Sequence, residues 1–346
     1  MTDVAVIGRL LDEYHERSVS PASIEILAGS EHESRISYKL TLTDGSAQIL
    51  RAYRAEGTVP VEMRGPFTET VLDWLAGRAR TLAVLATAGY EAPRPVLTRT
   101  GELIAVAGPW LAWATSYVPG AVLTPTLDQL RALGETLGRL HRVIAGGRGP
   151  SLAPRHPAVA VPMILSRLDA VADKVPGEWA GMCEAFRQTA IAVESAAPAM
   201  PETAVHGDAW ARNAVDAPAG GPVTLIDWEM GGLGLAVLDL GNCLMECHLN
   251  SAAPALDPEA WLIAPDEDRI AATASGYAST RTLSAAELAL LPYAVRFATT
   301  VVGAIHVELA LAEGVSGPTM DARLARLENR LEIADEVAAL AVPYLS

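Results

Sequence analysis

The sequence predicts an α+β protein in two parts, a small antiparallel sheet followed by a larger, mainly helical region. Three observations carry this reading. An Asp44-Gly45 pair sits between two β-rich runs and signals a hairpin. Pro119-Gly120 breaks the strand pattern. Beyond that break Leu127, Leu130, Leu133, Leu137 and Leu140 fall on one helical stripe.

Taken in order, Val6, Leu10, Leu11 and Tyr14 have helical spacing, and Pro21 is expected to end this leading helix. "SIEILAG" and the hairpin "RISYKLTLTDGSAQILRAYR" follow as strands. "FTETVLDWLAGRARTLAVLATAGY" reads as a helix, interrupted or bent near Gly77 and ended at Gly89. "EAPRPVLT" reads as an extended loop, and "ELIAVAG" and "WLAWATSYV" as two more strands. The boundary at Pro119-Gly120 then separates residues 1–119 from 120–346. Residues 146–158, rich in Gly, Pro and Arg, read as a loop, and the chain from Ser284 onward is again helical.

Composition excludes several classes. With 346 residues, half of them apolar, the chain can bury a sizeable core in two lobes. The first twenty residues lack the order of a signal peptide, and the run "FATTVVGAIHVELALA" is stopped by Glu308, so a cytoplasmic protein without a membrane span is expected. Three cysteines, Cys183, Cys243 and Cys247, are an odd set and indicate no disulfide framework. A net charge of -15 disfavours a nucleic-acid partner and favours a cationic ligand, or serves solubility alone.

The stretch "AVHGDAWARNAV" places His206, Asp208 and Asn213 in one short run. A strand-like "AVD", a turn "APAGGP" and the apolar strand "VTLID" ending at Asp227 follow. Phosphoryl transfer from a nucleotide needs Mg²⁺ held against the phosphates and an acceptor hydroxyl oriented in line. Carboxylate and amide oxygens suit that ion. Asp227 and Asn213 can supply them, while Asp208 accepts a hydrogen bond from the attacking hydroxyl. The alternative is that Asp208 and Asn213 serve as a helix cap and a turn residue.

"VHGDAWARN", "TLIDWE" and the following "VLDLGN" resemble the aminoglycoside phosphotransferase family, which shares a protein-kinase-like fold with choline kinases and related small-molecule kinases. The resemblance implies Asp208 as catalytic base, Asn213 and Asp227 as Mg²⁺ ligands, His206 as structural and Asp239 as a brace of the loop. It implies a nucleotide-binding lobe over 1–119 with a hinge near 115–119, and a helical lobe over 120–346 carrying the catalytic loop and acceptor site. "LAGSEHESRISYKLTLTDGSAQILRAYR" resembles the first hairpin of the family, over the nucleotide phosphates, which makes Ser30 a nucleotide contact. "ATSYVPG" resembles the hinge, with Ser116, Tyr117 and Val118 along the base edge, and "LGETLGRLHRV" the first long helix of the second lobe. The activity implied is transfer of the γ-phosphoryl group of ATP or GTP to a hydroxyl of a small acceptor, in the manner of an antibiotic phosphotransferase. Kinases of choline, homoserine or a sugar fit the same motifs, and a catalytically impaired kinase-fold binding protein is the rival of another class.

Two positions depart from the family pattern. Arg51 stands where the phosphate-binding lysine is usual, and a guanidinium can still hold phosphate oxygens. The helix position that usually supplies its acidic partner falls on or near Arg78, with Asp73 or Glu69 as substitutes. Elsewhere two readings stand side by side. Glu229 reaches a metal through water or caps a turn; Trp210 walls the acceptor pocket or packs. Cys243, Cys247 and His248 read as a buried helix, His141 as a packing or capping residue on the polar side of its helix, and Gly231, Gly232 and Gly234 as a turn. Glu246, Asp257, Glu259, Asp266, Glu267 and Asp268 line a cationic pocket or a solvated surface.

Overall fold

The computed structural model describes residues 3–14, 21–27, 35–55, 70–144, 152, 154–156, 160–216, 222–248, 263–312, 314 and 316–346. The chain forms two compact units, residues 1–119 and 120–346.

The first unit contains helix α1 (Asp3–Tyr14) and strands β1 (Pro21–Ile26), β2 (Arg35–Leu42) and β3 (Ala47–Arg54). Helix α2 (Val71–Thr87) and strands β4 (Pro95–Val96), β5 (Ala105–Ala107) and β6 (Trp110–Ser116) complete it. Its sheet runs β1-β2-β3-β6-β4, with β5 also on β6, and every pairing is antiparallel. At the β2–β3 turn, Gly45 takes φ +83° and the Asp44 carboxylate accepts from the Ser46 N–H, which is why this pair makes the hairpin. Alternation along β3 sorts the two faces. Leu50 and Ala52 join Leu10, Leu11 and Tyr14 of α1 in one buried layer, and the Tyr14 hydroxyl donates to the Ala112 carbonyl at 2.8 Å. On the opposite face Tyr53 meets Trp74 of α2 edge-on, ring centroids 5.3 Å apart.

Three expectations are corrected in this unit. Pro21 opens β1 instead of merely ending a helix, a place where the missing N–H costs little. Pro95 and Val96 form a short strand on β6 where a loop was expected. Helix α2 is continuous through Gly77: Thr70 caps it, Gly77 is buried within it, and one interior glycine costs about 1 kcal/mol without breaking a packed helix. Gly89, at φ +76°, follows its end as expected.

The second unit begins with β7 (Ala121–Val122) and α3 (Leu127–Val143). Next come β8 (Pro154–His156), α4 (Ala160–Ala170), α5 (Gly177–Ala196), β9 (Glu202–Val205), β10 (Ala214–Asp216), β11 (Thr224–Leu225) and β12 (Gly232–Leu235). Helices α6 (Ala236–Glu246), α7 (Glu267–Ala278), α8 (Ala285–Ala312) and α9 (Pro318–Leu345) close it. β10 lies between β7 and β11, and β12 between β8 and β9. Leu130, Leu133, Leu137 and Leu140 are buried as the stripe predicts, but Leu127, in the first turn, is 45% exposed. Gly231 precedes β12, and Gly232 and Gly234 lie within it, so the expected turn is a strand; β8 likewise lies inside the expected loop at 146–158. The turn "APAGGP" lies largely outside the described residues. Helix α8 is long and apolar enough to cross a membrane by length and composition, which the sequence reading did not allow; its apolar window is mostly buried, as suits the core helix of this unit.

Helix α3 packs on α7 at backbone distance. A Cβ added to Gly276 would lie 2.0 Å from the Arg131 carbonyl oxygen, and one on Gly134 would lie 2.1 Å from that of Thr273. Gly276→Ala is therefore expected to lower stability by about 1–3 kcal/mol in urea denaturation. Exposed Gly181 in α5 meets nothing within 4 Å, and Gly181→Ala should raise stability by about 0.5–1 kcal/mol.

Candidate active site

The candidate catalytic loop follows β9 and is held from beneath by one carboxylate. Asp239, in the first turn of α6, is 3% exposed, and its oxygens accept from the backbone N–H of His206 at 2.6 Å and of Gly207 at 2.9 Å. Gly207 has φ +79°, and a Cβ there would meet the Met230 carbonyl oxygen at 2.3 Å, so only glycine lets the chain turn at this point. His206 is fully buried; its Nε2 donates to the Ile226 carbonyl at 2.8 Å, leaving Nδ1 to accept from the Asp208 N–H at 3.3 Å. Burial keeps its imidazole neutral, below the usual histidine range.

A second layer supports Asp239. The His141 Nε2 lies 3.2 Å from it, the Tyr277 hydroxyl lies 2.9 Å from His141 Nδ1, and Arg281 donates to that hydroxyl at 2.9 Å. These distances form one donor chain, from Arg281 through Tyr277 to Nδ1 and from Nε2–H to the carboxylate. Burial pushes His141 down, so it remains neutral. Burial alone would push Asp239 up, but its hydrogen bonds win and it stays ionised. His141 is thus buried and bonded, and the polar-side position read from the sequence is corrected. Because α7 covers that side of α3 through Gly134 and Gly138, no solvated side exists there; the 134, 138, 141 spacing was the available signal.

On this support stand the three predicted residues of the second unit. Asn213 Nδ2 donates to the Asp208 carboxylate at 2.7 Å and to its carbonyl at 2.9 Å. The Asn213 carbonyl accepts from the Ile226 N–H at 2.8 Å, tying the loop to the residue before Asp227. Asp227 has φ 61° and ψ 61°, the one non-glycine residue with positive φ among the described residues. Aspartate enters the left-handed region more readily than most non-glycine residues, and its neighbours hold it there. Here Trp228 is locked by a bond from Nε1 to the Leu225 carbonyl at 3.0 Å and by edge contact with the His206 ring at 4.7 Å. Burial, then the nearby charges of Asp227 and Glu246, pushes the Asp208 carboxyl up to about 7, Asn213 pulling the other way.

The donor set fits Mg²⁺. Asn213 spends its amide donors on Asp208, which leaves Oδ1 as the acceptor end, and the Asp227 carboxylate adds hard oxygens. Cys243 and Cys247 are free, buried thiols, and among the described residues no group of three His, Cys, Asp or Glu is placed to hold a metal. Glu229 is 2% exposed in a short 3-10 turn. Trp210 is half-buried with the Arg212 guanidinium 5.5 Å from its ring.

The predicted nucleotide contacts of the first unit lie along its sheet. Arg51 sits on β3 opposite Trp113, its guanidinium 5.7 Å from that ring. Ser116 ends β6; its backbone N–H donates to the Arg94 carbonyl and its hydroxyl accepts from the Arg94 N–H, while the Tyr117 N–H donates to the Ala47 carbonyl. Lys39 lies 4.2 Å over the Tyr117 ring, and Val118 follows. Ser30 lies outside the described residues. Arg78 is 2% exposed within α2, and Asp73 accepts from the Thr70 hydroxyl at that helix's N-cap; Glu69 is outside the described residues. Of the acids proposed for a cationic pocket, Glu246 is paired with Arg330 at 2.8 Å and Asp266 caps α7, while Asp257 and Glu259 lie outside the described residues. Sequence reasoning missed Arg326 and Arg330 altogether, since nothing local marks a helix 84 residues beyond Glu246 as its partner.

The raised carboxyl of Asp208 makes the stability of the fold depend on pH. With a folded pKa near 7 against an ordinary value near 3.9, the folded state holds a proton that the unfolded state has lost between those values. Stability contributed here therefore falls as pH rises from about 4 to about 7. In metal-free buffer Asp208→Asn should raise the thermal midpoint at pH 8 and change it far less at pH 5; equal shifts at both would contradict the assignment.

The profile of the APH phosphotransferase enzyme family matches residues 29–282. A homoserine kinase of Methylobacterium radiotolerans is 28% identical over 218 residues, covering 60% of this chain, and the match spans only 61% of that kinase. Among solved structures, a microcompartment-associated aminopropanol kinase is 21% identical with TM-score 0.66, covering 99% of both chains. An amicoumacin kinase in complex with AMP-PNP and Ca²⁺ is 17% identical with TM-score 0.65, covering 97% of this chain and 94% of that one. At these identities the two structures establish the two-lobed, kinase-like α+β fold. The chain belongs to the phosphotransferase enzyme family.

Proposed function

We propose that this protein transfers the γ-phosphoryl group of ATP, or of GTP, to a hydroxyl of a small molecule. The observation that carries the reading is the Asp208 carboxylate, fixed by Asn213 at 2.7 Å and beside Asp227, on a loop clamped by Asp239. A carboxyl poised near neutrality on a rigid loop is the group a general base requires.

In this reading Asp208 orients the acceptor hydroxyl and takes its proton. The acceptor oxygen forms a bond to the γ-phosphorus as the bond to the β,γ-bridging oxygen breaks, and the nucleoside diphosphate leaves with that electron pair. Asn213 and Asp227 would hold Mg²⁺, which supplies charge neutralisation to the phosphates. Residues 1–119 act as the nucleotide lobe and 120–346 as the acceptor lobe. Arg51 steadies phosphate oxygens, and Ser30, outside the described residues, is a further nucleotide contact in this reading. The segment Ser116–Val118 reads the base edge, and since the Ser116 and Tyr117 N–H groups are already donated, Val118 is the donor to the base. The buried Arg78 motivates a second reading, a kinase-fold protein that binds nucleotide without turnover.

Two measurements separate these readings. Mg-ATP or Mg-GTP at ~100 times its dissociation constant should stabilise wild type by roughly 2.7 kcal/mol, with much of that lost in Asp227→Asn. Asp208→Ala should keep the nucleotide-induced shift and lose roughly 10²–10⁴-fold in kcat. A shift in wild type with no phosphorylated product across a broad hydroxyl panel would favour the binding protein.

A further inference from the structure

The donor chain behind the candidate catalytic loop does not stop at Arg281. Ser284 and Glu287 open α8 as a reciprocal cap: the Glu287 carboxylate accepts from the Ser284 N–H at 2.9 Å, and the Ser284 hydroxyl accepts from the Glu287 N–H at 3.3 Å. The other oxygen of Glu287 accepts from Arg281 at 2.6 Å, between side chains that are both largely buried. A continuous path of hydrogen bonds therefore runs from the start of α8 through Arg281, Tyr277, His141 and Asp239 to the N–H groups of His206 and Gly207.

The donors and acceptors available fix the direction of that path. A guanidinium has donors only, so the Tyr277 oxygen accepts from Arg281 and its single proton goes to His141 Nδ1. Burial pushes that hydroxyl above the usual tyrosine range, so it keeps the proton it donates. An Nδ1 that accepts leaves the proton of a neutral imidazole on Nε2, facing the Asp239 carboxylate. Close packing brings the partners together: a Cβ on Gly138 of α3 would lie 2.8 Å from the Tyr277 carbonyl oxygen, and the His141 and Tyr277 rings meet edge-on with centroids 5.6 Å apart. Thr203, three residues before His206, donates its hydroxyl to the His141 carbonyl at 3.0 Å and ties β9 to the same residue.

Arg281 forbids the reversed path. Without its donor, Tyr277 could accept from an Nδ1–H, and Nε2 would then either turn a lone pair on Asp239 or carry the second proton of an imidazolium. The first repels the carboxylate, and the second draws its charge away from the loop N–H groups. Either one loosens the loop that carries Asp208.

We propose that Tyr277 and Arg281 are positioning residues for phosphotransfer: they hold His141 as its Nε2–H tautomer and so keep Asp239 on the N–H groups of His206 and Gly207. The proposal rests on the phosphotransferase reading above and adds to it two residues that act on the loop through His141.

The test compares the full chain as wild type, Tyr277→Phe, Arg281→Met and Arg281→Lys, with Mg-ATP as donor and L-homoserine, 3-amino-1-propanol and choline as acceptors. Tyr277→Phe removes one hydroxyl and keeps the ring. It should lower kcat by roughly ten- to a hundredfold, the scale of a small misplacement of a reacting group, with KM for Mg-ATP within about twofold of wild type. Nitrogen magnetic resonance of ring-labelled histidines should show His141 protonated on Nε2 with a hydrogen-bonded Nδ1 in wild type, and an unbonded Nδ1 in Tyr277→Phe. Hydrogen exchange of the Gly207 amide should become at least about tenfold faster in that variant. Arg281→Met should lower kcat and speed that exchange likewise, and Arg281→Lys, which keeps the charge and a donor, should recover most of the loss. Arg281→Met leaves Glu287 buried without its cation, so if it does not fold, Tyr277→Phe and Arg281→Lys carry the test. A folded Tyr277→Phe that is less heat-stable but keeps the wild-type kcat would overturn the proposal, as would one that loses kcat with the Gly207 amide and the His141 nitrogens unchanged. If wild type phosphorylates none of the three acceptors, Gly207 exchange decides: faster exchange in Tyr277→Phe upholds the positioning of the loop, and unchanged exchange overturns it, whatever becomes of the phosphotransferase reading.

Discussion

Everything in the second unit that bears on chemistry depends on one buried carboxylate. Asp239 holds two consecutive backbone N–H groups of the catalytic loop, and His141 holds Asp239. Such an ion is costly to bury unless its lone pairs are filled. Filling them demands a glycine at 207, a neutral histidine at 141 and a close α3–α7 contact that brings Tyr277 to His141. The result is a loop with little freedom, on which Asp208 and Asn213 meet side chain to side chain.

A rigid frame lets like charges be stored where reaction needs them. Burial first, and then the charges of Asp227 and Glu246, make Asp208 hold its proton far above the usual carboxylate range. A bound cation and a reacting hydroxyl would relieve that repulsion. Around Glu246 the balance reverses, since α9 brings arginines to it from another part of the chain. The field that a ligand meets is thus set by a few buried groups and not by the overall charge of -15.

Local signals made much of this readable in the sequence. Asp44-Gly45 specifies a turn by its own backbone chemistry, and the Leu130–Leu140 stripe specifies a buried face by periodicity. The spacing of Asp208, Asn213 and Asp227 was legible because loop and hairpin are contiguous in the chain. What stayed hidden depends on distant partners. Pro154–His156 is a strand only because β12 lies beside it, and Gly232 and Gly234 pair despite weak strand propensity because β8 and β9 flank them. Gly77 bends nothing because the packed helix around it outweighs its propensity. His141 stood apart from the leucines, and only the glycines beside it betray the second buried face.

The central claim is that this clamped loop moves a phosphoryl group onto a hydroxyl, and phosphorus magnetic resonance of Mg-ATP incubated with the protein and a pool of small hydroxyl acceptors tests it most directly. The account predicts that the γ-phosphorus signal of ATP is replaced by a phosphomonoester signal, at a rate that collapses in Asp208→Ala. Conversion of ATP to inorganic phosphate alone, or an unchanged ATP spectrum in protein shown to bind the nucleotide, would contradict it.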